Sequence, residues 1–158
     1  MKQIDEKTNV MRILDGKKIE YNHYNYIESG AISGMEVAEA LNENPDMVFK
    51  TLVTVGKSGN HYVFLLPVNK ELDLKKAAKS VGEKSVEMIK SKELLPLTGY
   101  IHGGCSPIGM KKYFKTTIDK SVEGLDTFIF SAGKIGYQVE MTLDSLSKVI
   151  RVQVADLI

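Results

Sequence analysis

Val48-Phe49-Lys50-Thr51-Leu52-Val53-Thr54-Val55, then Gly56-Lys57-Ser58-Gly59-Asn60, then His61 to Leu66, is the stretch on which the fold turns. β-Branched and aromatic residues fill both runs, and the glycine-bounded polar segment between them reads as the turn of a hairpin. Side chains alternate along a strand, so Val48, Lys50, Leu52 and Thr54 share one face and Phe49, Thr51, Val53 and Val55 share the other. Both faces read as largely buried, which directs the Lys50 ammonium at an interior. A lysine so placed either loses basicity or meets an anion. Two roles are open to it: handling a negatively charged substrate, or lying at the strand entrance with its charge snorkelled to water.

On the N-terminal side, Glu6 to Asp15 reads as a helix with Val10, Ile13 and Leu14 on one face. A strand is expected from Lys18 to Tyr26. Ser33 and Glu36 have the spacing of a capping box, opening a second helix with Val37, Ala40 and Leu41 as its apolar face. Asn44-Pro45-Asp46 ends it. On the C-terminal side, Asp73 caps a short basic helix, Leu74 to Val81, and Gly82 stops it. One or two helical turns follow from Ser91 to Leu95, closed by Pro96. Strands are expected at Thr116 to Asp119, Thr127 to Ser131 and Tyr137 to Met141. Thr142 caps a last helix through Ile150, and Val152 to Ile158 reads as an apolar tail. Hairpin pairs mixed with helices, without regular strand–helix alternation, imply a mixed α/β, α+β-like domain and not a doubly wound nucleotide-binding fold. Neither the dinucleotide fingerprint nor the phosphate loop of nucleotide hydrolases occurs.

The chain has 158 residues, which fits one domain, 1–158, able to bury roughly 70% of the surface its unfolded chain exposes. No apolar run approaches the ~20 residues of a membrane span, so no membrane partner is expected. The N-terminal Met1-Lys2-Gln3-Ile4-Asp5-Glu6 lacks the apolar core of a signal peptide. With a single cysteine, this suggests a reducing, cytoplasmic setting. The 21 basic and 20 acidic side chains leave a net charge of +1, unlike the strong basic excess of proteins that grip nucleic acid unaided.

Three segments could carry chemistry. Gly99 to Gly109 holds four glycines in eleven residues, a composition that lets backbone N–H groups converge on a carbonyl oxygen or a phosphate; a plain irregular turn is the alternative. His102 and Cys105 in this loop are three apart, which seldom sets a base against a thiol. One cysteine and three histidines without paired spacing argue against a metal site, and no cofactor is expected. Ser131-Ala132-Gly133-Lys134-Ile135-Gly136 suits a strand-end pocket for a polar ligand or a simple turn. Tyr21, Tyr24 and Tyr26 offer aromatic faces for a base or for ordinary sheet packing, with Tyr24 and Tyr26 on one side.

Read together, Val48-Phe49-Lys50-Thr51-Leu52, Leu72 to Lys79, Val86-Glu87-Met88, Thr98-Gly99-Tyr100, Gly103 to Gly109 with Lys111-Lys112, and Ser131-Ala132-Gly133-Lys134 form an ordered set. In it the chain resembles the YbaK/EbsC family of aminoacyl-tRNA deacylases, related to the editing domain of bacterial prolyl-tRNA synthetases. The resemblance implies a central, curved mixed sheet flanked by helices. It implies hydrolysis of the ester joining a mischarged amino acid to the tRNA 3′ CCA end, most often cysteine on the tRNA for proline. The family's invariant lysine falls on Lys50, its tyrosine on Tyr26, its glycine-loop contact near Gly103 and its strand-end serine on Ser131. Gly104 joins Gly103 as an expected oxyanion donor. Thr51, Ser106, Gly133 and Lys134, within the same motifs, are further substrate-binding candidates. The family often has glycine where this chain has Ala132, arginine where it has Ile135 and an aliphatic residue where it has Cys105.

Near-neutral charge implies loose tRNA selectivity and recruitment by a synthetase such as prolyl-tRNA synthetase. Lys75, Lys76, Lys79, Lys111, Lys112 and Lys115 are the candidate phosphate contacts. The competing readings are a non-catalytic tRNA-end or nucleotide-binding module, an alanyl-tRNA(Pro) deacylase, and a hydrolase of small esters or thioesters.

Overall fold

The computed structural model describes residues 6–158. The Met1–Asp5 part of the N-terminal stretch considered above lies outside them.

The expected hairpin forms. β2 (Phe49–Gly56) pairs antiparallel with β3 (His61–Pro67), Lys50 opposite Leu66 and Val55 opposite His61. β3 then runs parallel to β5 (Lys115–Asp119), and β5 parallel to β8 (Val152–Ala155). β4 (Val86–Met88) covers only the Thr54–Gly56 end of β2, giving the order β4-β2-β3-β5-β8. A second, antiparallel sheet has the order β1-β7-β6, from β1 (Asn22–Asn25), β6 (Phe128–Ser131) and β7 (Tyr137–Met141). The expected single central sheet is therefore two sheets, joined where Val48 and Ile129 form one parallel bridge. The class is mixed α/β, as the hairpin pattern implied.

Helices α1 (Asn9–Gly16), α2 (Gly34–Ala40), α3 (Leu74–Val81), α4 (Ser91–Thr98) and α5 (Leu143–Val149) pack around the sheets. Thr8 caps α1 by accepting from the Met11 N–H, so the helix starts three residues later than its apolar spacing suggests. Lys18 has φ 58°, and this left-handed turn keeps the following strand from starting before Asn22. The capping box at Ser33 and Glu36 forms in both directions. The buried face of α2 is Val37 and Ala38, while Ala40 is exposed. Pro96 lies inside α4 instead of closing it. The helix runs one turn further, to Gly99 at φ +88°, whose N–H donates to the Leu95 carbonyl. The apolar tail is strand β8, sheltered by its pairing with β5.

One core lies between the two sheets. Val53, Val63, Leu65 and Ile118 meet Phe128, Phe130 and Val139, with Val10 and Leu14 of α1 and Ile108 of the glycine-rich loop. Phe49 stands edge-on to Phe128 at 5.3 Å between ring centroids. The other face of β3 is covered by α3, where Phe64 packs on Ala77, Ala78 and Leu157. β3 is buried on both faces, which accounts for its unbroken apolar run.

Candidate active site

The β4 ladder ends at Thr54, and the Ile89 N–H still donates to the Val53 carbonyl at 3.3 Å, so the Phe49–Leu52 half of β2 is an open strand edge. A cavity of 420 Å³ sits at this edge, within the size range of small-ligand sites. Its floor is Val48 to Leu52. One wall is His102, Gly103 and Cys105 of the glycine-rich loop; another is Tyr26, Ser131 and Gln138; the rim is Ile32 to Met35 at the start of α2. An open edge lets side chains from both faces of the strand, Lys50 and Thr51, border the same space.

Lys50 is half-buried and makes no ion pair among the described residues. Burial pulls its ammonium below the usual lysine range, and the Glu71 carboxylate opposes this only in part. The Thr51 hydroxyl oxygen is buried with no hydrogen-bond partner among the described residues. A cation short of counter-charge and an unsatisfied hydroxyl in one cavity favour a polar, anionic or ester ligand. The Ser131 Oγ accepts from the Gly133 N–H at 3.1 Å, leaving its own hydrogen free to donate. Tyr26 is buried and tied by its backbone N–H to the Gly136 carbonyl at 2.8 Å.

The two glycines of the loop divide their work. Gly103 lines the cavity at φ +89°, and its N–H has no acceptor among the described residues. Gly104 does not line it. Its N–H donates to the Ile101 carbonyl at 3.0 Å, and a Cβ there would stand 3.2 Å from the Ile135 backbone nitrogen. The expected oxyanion role of Gly104 is thus corrected: it is the contact that seats the loop on the Lys134–Ile135 turn. Ser106 is fully buried inside the loop, its Oγ accepting from the Ile108 N–H at 3.3 Å. Gly133 packs on Tyr100 and Val10. Lys134 is exposed, paired with Glu6 and set over the Tyr137 ring. Ser106, Gly133 and Lys134 therefore shape the surroundings and do not line the cavity. Tyr21 and Tyr24 are also turned away, donating to Asp15 and Glu140.

Cys105 is buried in the cavity wall, and burial pushes its thiol up to about 12. A thiol held neutral is a poor nucleophile. Tyr100 ties this wall together: its hydroxyl donates to the Ile108 carbonyl, and its own pKa is raised to about 12 by burial and the neighbouring Cys105. Sequence reasoning passed over Gln138. It falls mid-strand in β7, opposite Ser131, and only the register brings it to the cavity. Its amide, oriented by its neighbours, donates to Glu43 at 2.9 and 3.2 Å.

A mixed-sheet domain with a lysine unpaired among the described residues, a backbone N–H and a serine hydroxyl hydrogen around one cavity is equipped to bind and polarise an ester. Residues 30–149 match the model of the aminoacyl-tRNA editing domain. The chain belongs to that family. It is 43% identical over 157 residues, 99% of its length and 96% of the other, to an Enterococcus faecalis protein named "Putative Cys-tRNA(Pro)/Cys-tRNA(Cys) deacylase EbsC". It is 30% identical over 102 residues, 65% of its length, to 18% of a proline–tRNA ligase of Shouchella clausii. A crystal structure described as "a putative trans-editing enzyme for prolyl tRNA synthetase" superposes with a TM-score of 0.78 at 25% identity, covering 95% of this chain and 97% of that one.

Proposed function

We propose that residues 1–158 form one deacylase unit that hydrolyses mischarged aminoacyl-tRNA, with cysteinyl-tRNA(Pro) as its substrate. The observation that carries this reading is the cavity that joins an unpaired Lys50 to the Gly103 N–H while holding the chain's own thiol neutral. Lys50 holds the ester end through its carbonyl or the terminal phosphate. The Gly103 N–H stabilises the oxyanion. Ser131, Thr51 and Tyr26 orient the ribose and the amino acid.

With Cys105 held neutral, attack falls to water or to the substrate's own thiol, and the thiol has the advantage of proximity. The cysteinyl thiol attacks its own carbonyl, a C–S bond forms as the ester C–O bond breaks, and the thiol proton leaves on the ribose oxygen. Water then opens the resulting cysteine β-thiolactone to free cysteine. Intramolecular attack gains up to roughly 7–11 kcal/mol from proximity when the pair is well oriented. It also accounts for selectivity, because a pocket alone separates side chains differing by one methylene by only ~1–3 kcal/mol. Recruitment by prolyl-tRNA synthetase supplies tRNA selectivity, and the reaction belongs to the cytoplasm, where charged tRNA is made. The test is a deacylation assay with cysteinyl-, alanyl- and prolyl-tRNA beside a generic ester. Fast release of cysteine alone is expected; equal release of alanine overturns substrate assistance, and hydrolysis of the generic ester alone overturns the tRNA reading.

A further inference from the structure

The glycine-rich loop has a second concavity at its far end. A hollow of 480 Å³ lies where the loop meets the junction of α5 and β8, lined in part by Met110, Lys112, Tyr113, Phe114, Ile150 and Arg151. It carries two cations and no carboxylate among its lining residues. Tyr113 is 55% exposed, an unusual setting for a large ring, yet it is not loose: its hydroxyl donates to the Arg151 carbonyl at 3.1 Å. Lys112 Nζ lies 5.4 Å from the centre of the Phe114 ring. Arg151 is exposed, is one of two arginines in the chain, and makes no ion pair among the described residues. A pinned, exposed aromatic ring in a hollow whose lining includes two cations suits a nucleotide: the ring stacks on a base while the cations meet phosphate.

The sheet register sets the distance from this hollow to the cavity. Lys50 pairs with Leu66, and Tyr62, four residues back along β3, pairs with Lys115 beside the hollow. Four residues of rise and two strand spacings separate Lys50 from Lys115 by roughly 16 Å. A few nucleotides of extended strand bridge that gap. We propose that the hollow at Tyr113 and Arg151 binds a nucleotide of the single-stranded 3′ end of the RNA whose terminal ester occupies the cavity. The proposal rests on the aminoacyl-tRNA reading. It also sorts the lysines weighed from sequence: Lys112 faces the hollow, while Lys76 is committed to Asp156 and Lys111 to the Pro96 carbonyl.

The experiment compares a cysteinylated acceptor-stem RNA hairpin ending in CCA with 3′-O-cysteinyl adenosine, which is too short to reach the hollow. Anisotropy of the labelled, uncharged hairpin against salt runs in parallel. Tyr113→Ala is expected to raise KM for the hairpin about tenfold at unchanged kcat, the size of one lost base stack. It should leave the adenosine ester at the wild-type rate. Tyr113→Phe, which keeps the ring but loses its anchor to the Arg151 carbonyl, should retain most of the wild-type KM advantage over Tyr113→Ala. The double variant Lys112→Ala/Arg151→Ala should lower the salt slope by about 1.4, the single-strand value for two phosphates. An unchanged hairpin KM and salt slope overturns the proposal, as a protein-binding surface would produce. Equal losses on both substrates, or a Tyr113→Phe defect matching Tyr113→Ala, also overturns it, because the residue then acts on the structure of the loop. A wild-type protein that cleaves neither substrate defeats the deacylase reading alone, and the salt slope still decides the hollow.

Discussion

Lys50 and Cys105 face the same cavity with opposite prospects. Burial makes the ammonium easier to deprotonate and the thiol harder to ionise, which suits the proposed roles of Lys50 as a charge contact and Cys105 as a space-filling wall residue. Lys50→Ala should cut cysteinyl-tRNA deacylation by on the order of a hundredfold or more, as expected for losing a charged contact in the transition state. Cys105→Ala should stay within a fewfold of wild type; a loss of several hundredfold in single-turnover hydrolysis would reverse the assignment. Because the Lys50 pKa is lowered, its charge is lost at a pH below the ordinary lysine range. The alkaline limb of the kcat/KM profile should therefore fall early, and Lys50→Arg should remove that limb even where it lowers the rate. Thr51 offers a cleaner separation of stability from function. Its hydroxyl is buried without a partner among the described residues, so Thr51→Val should leave Tm unchanged or raised while KM rises.

At the scale of elements, helix ends and strand edges decide the geometry. Asp73 caps α3 by accepting from the Lys75 and Lys76 N–H groups, and Asp73→Ala should cost about 1 kcal/mol, read in a denaturant melt. The turn after α2 brings Glu43 against β7. Burial, reinforced by Glu140, raises its pKa to about 7, with the Gln138 amide opposing. Its folded pKa thus lies above its unfolded value, so the unfolded chain gives up this proton first as pH rises. Glu43 costs nothing below pH ~4.5 and destabilises progressively between there and pH 7. Glu43→Gln should raise Tm at pH 8 and leave it nearly unchanged at pH 4, and equal shifts at both would exclude this origin. Helix α3 was legible from sequence to the residue because its cap, its amphipathic spacing and its terminal glycine are all local. The strand expected from Lys18 to Tyr26 is shorter in the fold, Asn22–Asn25, because the left-handed turn at Lys18 that closes α1 leaves no alternation signal. Strand β8 was missed for the opposite reason: it is only four residues, and its partner β5 is distant in sequence.

Across the whole molecule, a net charge of +1 sets the expectation for nucleic acid. Free uncharged tRNA should bind weakly at physiological salt, and adding prolyl-tRNA synthetase should sharpen selectivity among cysteinyl-tRNAs. Nanomolar binding of free tRNA by the isolated protein would contradict this. The identity of the hairpin, the mixed class, the ordered family motifs and Lys50, Tyr26, Gly103 and Ser131 as the residues of interest could all be read from the chain. They depend on period-two alternation, turn chemistry and short motifs, each of which acts within a few residues. Which of the candidates share a cavity could not. That Thr51 borders the cavity beside Lys50, that Gly104 seats the loop while Gly103 faces inward, and that Lys134 is drawn off to Glu6 depend on two facts. β4 stops short on β2, and two sheets meet at the single Val48–Ile129 bridge. Such long-range pairings are set by packing the whole core at once, and no local pattern encodes them.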